Sequence, residues 1–440
     1  MYRFEKHALS QTLPWILTAV LGTTVAAAQE TSDWLGLVAN PELRSVIDEA
    51  SEYAEWEELF LANNPGLKAA HARWLQAGER QNLAGSLPDP SLRGAVALAP
   101  VQTATGAQQA KLALSQGIPW PGTLKAQTAG QKYMADAAFY DLVDQAALGI
   151  RDLKKLYADL YLNQQEYILL NDNLELLKAW ESVLLIRYRG STVNQPALVQ
   201  TQLEVIRHEN QLQSVMAEQD RLLERFAARL QLDADAVKVH IGSIQFVNAH
   251  TEVVTVPESP RVLRAAAQLE ASRFEQNVAR LNSRPDLMFG VEWSMVNQRP
   301  SGGTLAPGSG ADAVALTAGL SLPIFRSKNK AERAIADFRK SERQSALLGI
   351  ERQIAASIQE ALILQHDAFR RRDVLERQIL PKAEEALSVQ ERSFASDATD
   401  YAELIEALKQ LHDIRFEIAQ AHSQIWTINA ELVYLKGDLR

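Results

Sequence analysis

The stretch from about Lys125 to Arg189 limits what this chain can become more than any other. It contains no proline and is interrupted by only two glycines, Gly130 and Gly149. Leu142, Leu148, Leu153, Leu156, Leu160, Tyr167, Leu170, Leu174 and Leu177 recur at helical spacing, with charged and amide residues on the other faces. The period is therefore near 3.6 and not 2. At 1.5 Å per residue the predicted helix, about 123–189, is a rod on the order of 100 Å long, beyond what an ordinary globular domain contains. A second one, about 326–394, follows later in the chain, with Pro381 placed to kink it or break its hydrogen-bond ladder.

Around each rod the same unit is written twice. Asn64-Pro65 opens a helix with proline at the first-turn position it tolerates best, and Ser259-Pro260 opens another. Leu87-Pro88-Asp89 ends the first and Arg284-Pro285-Asp286 ends the second. Period-two alternation then predicts strands at about 90–98 and 110–118, with a loop over Ala99–Gln109, and again at about 286–297 and 312–322, with a loop over Arg299–Gly310. After each rod comes a turn, Arg189–Asn194 or Phe394–Asp400, and a return helix, to about Leu232 or Leu435. The layout is helix, β-hairpin, long helix, return helix, with a period too long for a stacked solenoid. It divides the chain into residues 64–240 and 259–440, joined by a linker at 241–258, with a further segment at 29–63 whose part from Asn40 to about Leu61 reads as an acidic amphipathic helix.

The N-terminus reads as an export signal. Arg3, Lys6 and His7 precede an apolar run from Leu13 to Val25, and Ala26-Ala27-Ala28 supplies small residues for cleavage, so 1–28 is expected to be a signal peptide. The chain has no cysteine, which rules out disulfides, thiolate metal sites and a lipidated cysteine. A net charge of −9 argues against nucleic acid as a partner.

Strands of about ten residues with one apolar face and one small or polar face have the length and pattern of tilted membrane-spanning strands. Phe289 and Trp293 suit the lipid side, and Trp120 and Phe325 an interfacial girdle. A half-buried soluble sheet would share the alternation. Open edges are not tolerated in hydrocarbon and about eight strands is the smallest useful barrel, so copies would have to pool their strands; three copies would supply about twelve.

At Asn64-Pro65-x-Leu67, Leu87-Pro88-Asp89-Pro90, Ser115-Gln116-x-Ile118-Pro119-Trp120-Pro121-Gly122 and Leu380-Pro381-x-Ala383-Glu384, in duplicate order over nearly the whole mature chain, the sequence resembles the TolC-like outer membrane efflux channels. The resemblance implies a mainly α fold with a small membrane β-part. It also implies a trimer that forms a 12-stranded β-barrel continuous with a long periplasmic α-helical barrel. The implied function is passive conduction of substrate in a tripartite efflux system, with a periplasmic adaptor and an inner-membrane transporter as partners and outer membrane lipid around the barrel. It requires no catalytic group, cofactor or resident metal. Without a cysteine, anchoring would rest on the barrel. By the same resemblance Glu406, Glu403 and Asp400 are candidates for the periplasmic pore ring. Gly190, Ser191, Thr192 and Val193, with Ser396, Asp397, Ala398 and Thr399, are candidates for hairpin tips that meet the adaptor. Glu403 and Glu406, three apart, share a helical face. Gly190 would permit a positive φ at the helix exit.

The Pro119-Trp120-Pro121-Gly122 run is similar to members associated with heavy-metal cation efflux, while drugs and other small molecules stay open as substrates. A type I protein secretion conduit is the nearer alternative reading. A periplasmic coiled-coil scaffold would share the helices but not the hairpins. The eight histidines show no metal-ligand spacing and are expected mostly at the surface. No phosphate-cradling loop precedes a helix.

Overall fold

The computed structural model describes residues 53–103, 105–190, 195–237, 259–298, 308–396 and 401–437. The expected signal peptide, the linker at 241–258, most of the 299–310 loop and the tip residues Ser191, Thr192, Val193, Asp397, Ala398, Thr399 and Asp400 lie outside them, as does the first part of the acidic helix expected from Asn40. The elements run α1 (Tyr53–Asn63), α2 (Pro65–Gly85), β1 (Ser91–Thr103), β2 (Gly106–Ile118), α3 (Thr123–Arg189) and α4 (Gln195–Leu230). Then follow α5 (Pro260–Leu281), β3 (Leu287–Asn297), β4 (Ala313–Leu320), α6 (Arg326–Val374), a π turn at Leu375–Ile379, α7 (Leu380–Ala395) and α8 (Tyr401–Lys436). The duplicated order read from the sequence is present in the fold. The chain divides into two units, each drawing on both repeats: one holds residues 72–142 and 260–353, the other 53–71, 143–259 and 354–440.

In the first unit the sheet order is β1-β2-β3-β4, all antiparallel, so β2 and β3 join the two repeats. The Ala99–Gln109 loop is not there. β1 and β2 continue through it to a tight turn in which Thr103 pairs with Gly106, and the Thr103 hydroxyl donates to the Gly106 carbonyl at 2.6 Å. The alanines, Pro100 and Gly106 weaken the local strand signal, and cross-strand pairing overrides it. Gly106 sits at φ +141, and a Cβ there would lie 1.9 Å from the Asn297 carbonyl oxygen. The register slips between Val96 and Val101, where Pro100 has no N–H to give the ladder. Asp286 ties the other end of the sheet. Its carboxylate accepts the Trp120 N–H at 3.2 Å, and its backbone exchanges hydrogen bonds with Ser321. Helices of this unit pack through Trp74 on Phe139 and Tyr133 on Phe274, with Arg264 paired to Asp141.

The second unit is helical. Asn64 caps α2, its Oδ1 accepting the N–H groups of Gly66 (2.8 Å) and Leu67 (3.2 Å), which is the start that Asn64-Pro65 predicted. Leu170, Leu177 and Leu184 on α3 and Leu198, Val205 and Leu212 on α4 are buried at intervals of seven, facing Leu404, Leu408 and Leu411 on α8. A seven-residue repeat is the seam of a left-handed coiled coil. At the other end of the cluster's helices, α1 lays Phe60 against Gly149 and Trp56 edge-on to Phe226 (5.5 Å). Pro381 acts as expected. It lacks the N–H that would bond Arg377, and the preceding turn widens to a π turn in which Leu380 N–H reaches the Leu375 carbonyl.

Candidate functional site

Two exposed surfaces stand out, one on the sheet and one on α8. Leu92 and Val96 on β1, Leu112 and Leu114 on β2, Phe289, Val291, Trp293 and Met295 on β3 and Val314 and Leu316 on β4 share one face through the strand register. All are exposed; Leu316 shows 87 % of its surface, Leu92 71 % and Val314 70 %. A water-facing sheet would not leave its bulkiest apolar side chains in the open on one face. The opposite face bears Ser91, Ala95, Ala113, Ser115, Gly290, Ser294, Ala315, Thr317 and Gly319. It also bears Arg93, Lys111 and Glu292, the three charged residues of the four strands. Lys111 Nζ donates to Glu292 Oε1 at 2.9 Å. Alternation alone had pointed to Phe289 and Trp293, which do lie on the apolar face. Trp293 also donates its Nε1–H to Asp312 at 3.1 Å. Of the girdle candidates, Phe325 is 69 % exposed and Trp120 is half-buried.

On α8, Glu403 and Glu406 are both exposed, while Leu404, Ile405, Ala407 and Leu408 between and beside them are buried against α3 and α4. Burial of that stripe leaves the two carboxylates on the free side, as their spacing of three requires. Gln410 Nε2 donates to Glu406 at 3.2 Å. Tyr401, at the start of the helix, is buried beside Trp180 and Phe394, and burial pushes its phenol up to about 12.

The described ends of the two tips meet. Arg187 donates to the carbonyls of Phe394 and Ala395, both at 3.3 Å, and its guanidinium lies 5.3 Å from the Phe394 ring centroid. No sequence pattern singled out Arg187, because its partners are backbone atoms some two hundred residues away. Gly190 is not at positive φ. Its N–H continues the helix to Ile186 at 3.1 Å, and a Cβ would meet only ordinary contacts, so the expected left-handed exit does not occur at this residue. The Ser396 N–H bonds back to the Arg392 carbonyl in the same way, at 3.2 Å.

A cavity of about 290 Å³ lies between α3, α4 and α8. Glu204 is buried in its wall and binds Lys409 at 3.0 Å and Arg207 at 2.9 Å. Burial pushes the Glu204 carboxyl up, but the two cations outweigh it and hold it below the usual range. His412 faces Asn173 at 3.0 Å, and His208 bonds the Glu204 carbonyl at 2.9 Å. Burial lowers His412, with Asp413 opposing and His208 adding to the shift. The expectation of surface histidines is corrected here: His71, His208, His412 and His422 are half-buried, and His422 pairs with Glu376 at 2.8 Å. Helical spacing hides this, because the partners come from other helices. Among the described residues no helix is long and apolar enough to cross a membrane.

Residues 256–438 match the family model described as outer membrane efflux protein. That segment is similar to outer membrane efflux proteins. The fold of the chain is that of solved TolC-like outer membrane channels. The outer membrane protein VceC of Vibrio cholerae is 18 % identical with a TM-score of 0.74, covering 87 % of this chain and 95 % of VceC. The Campylobacter jejuni CmeC outer membrane channel is 16 % identical with a TM-score of 0.72, covering 91 % of each chain. The open state of the Neisseria gonorrhoeae MtrE outer membrane channel gives 14 % identity and 0.69, covering 87 % and 88 %. No curated protein matches by sequence. The sorting of charge and bulk between the two faces of the sheet has the pattern of a wall with an apolar outer side and a polar inner side.

Proposed function

We propose that this chain is the outer membrane duct of a tripartite efflux system. Three copies pool their strands into a 12-stranded barrel, their helices form the periplasmic conduit, and the hairpin tips meet an adaptor that couples the duct to an inner-membrane transporter. The single observation that carries this reading is the sheet: every charged residue of its strands projects from one face, and the other face is bulky, apolar and open. A periplasmic scaffold would have no use for such a face. β1 and β4 each leave one side unpaired within the described chain, and hydrocarbon does not tolerate open edges, so neighbouring copies must close the wall. Transport is passive, and the chain supplies shape and charge.

Glu406, with Glu403 beside it, lines the periplasmic aperture; repeated around a threefold axis they form stacked carboxylate rings that favour cations. The test is fractionation followed by planar-bilayer recording of the purified protein. The protein is expected in the outer membrane as a heat-modifiable oligomer, and Glu406→Ala is expected to lower its cation-over-anion permeability. A wild-type chain that washes out with the periplasm overturns the duct, and unaltered selectivity in the variant overturns the ring.

A further inference from the structure

We propose that Arg93 makes the inner face of the β-wall a cationic belt that favours anionic solutes, a specificity element of the duct that rests on the barrel reading above. Arg93, Ala113, Glu292 and Ala315 stand in one cross-strand row on the small-residue face, and Lys111 stands in the next row. Lys111 neutralises Glu292 at 2.9 Å. Two strand spacings, about 10 Å, separate Arg93 from Glu292, which is about one screening length at physiological salt. Among the described residues Arg93 has no ion-pair partner.

Closure of the wall does not supply one. Arg93 lies on the edge strand β1, so the strand that closes beside it is β4 of another copy, and β4 reads AVALTAGL, without a charged residue. Each copy therefore contributes one unneutralised guanidinium to the same level of the wall. Around it stand Ser91, Ala95, Ala113 and Ser115, side chains too short to shield it or fill the space in front of it, and, on the other diagonal, Lys111, whose ammonium is turned to Glu292. A ring of like charges in a confined, partly desolvated passage raises the local concentration of the opposite sign. The belt thus assigns organic anions, such as amphiphilic carboxylates, as solutes that this section of the duct accommodates best. Bare metal cations are disfavoured here, whatever the carboxylates of α8 do elsewhere.

Because the chain has no cysteine, a single thiol can report the potential at the belt. Ala113→Cys places it directly opposite Arg93. The full-length protein in vesicles is treated with an anionic (sulfonatoethyl) and a cationic (trimethylammonioethyl) methanethiosulfonate, and the ratio of the two labelling rates is taken so that thiol reactivity cancels. Adding Arg93→Gln is expected to lower the anion-to-cation ratio by about threefold, and adding Arg93→Lys to preserve it. An unchanged ratio with Arg93→Gln overturns the belt while leaving the duct intact. So does an Ala113→Cys variant that neither reagent labels while Leu114→Cys is labelled, since the faces would then be reversed. A wild-type chain that never enters the outer membrane overturns both, and fractionation reads that separately.

Discussion

Protonation is the smallest change a side chain can undergo, and His412 and Glu204 make the seam between α3, α4 and α8 sensitive to it. His412 is held below the ordinary imidazole value of 6.5, first by burial, so the folded protein resists charging it. The stability it contributes is present above about 6.5 and is lost as pH falls through the lowered value. Glu204 behaves alike further down: its contribution is present above the ordinary value of 4.5 and is lost as pH falls through its own depressed one. A thermal-denaturation series is therefore expected to show the melting temperature falling in two steps, one beginning near neutral pH and one in acid. His412→Gln, which keeps a polar partner for Asn173, should flatten the first step and leave the second. A series in which both steps persist in the variant excludes His412 as the origin. Neither group announces itself in the sequence, because its environment is made by three separated helices.

Among elements, α3 is the one most fully legible beforehand, since its apolar period persists from end to end and proline at both flanks marks its limits. One of its two glycines has a clear structural reason. Gly149 lies where the Phe60 ring crosses, and a Cβ would come 2.1 Å from Phe60 Cζ. Alanine would gain up to about 1 kcal/mol in helix propensity. Displacing a ring that is 1 % exposed costs about 1–3 kcal/mol, so overpacking wins. Gly149→Ala is expected to destabilise the protein by about 1–2 kcal/mol in denaturant titration. A more stable variant would mean that α1 does not pack there. Pro381 was equally legible, because its missing donor acts locally. The first hairpin was not: β1 runs on to Thr103 and β2 starts at Gly106 because they pair with each other and β2 pairs with β3, and register between distant segments leaves no local trace. Gly190 shows the opposite error, a glycine given a conformational role that its neighbours do not require.

For the whole molecule, the duplicated order could be read from paired landmarks such as Asn64-Pro65 and Ser259-Pro260, whereas the sorting of charge onto one sheet face needed the register. That sorting predicts a sharp contrast between adjacent substitutions on β4. Leu316→Arg puts a guanidinium on the proposed lipid face, at a cost of about 2–4 kcal/mol near the bilayer midplane, and is expected to reduce the outer membrane oligomer on a gel. Thr317→Arg places the same group on the other face and should assemble normally. Equal yields of the two would reverse or abolish the facing. The strand order has a genetic corollary. In the proposed ring each joint sets β4 of one subunit against β1 of the next, never like against like, and no subunit can be spared. One blunted border anywhere leaves the circle unsealed. In a cell making sound and edge-defective chains in equal amounts, only about one three-copy ring in eight would be whole, so such an allele would act dominantly.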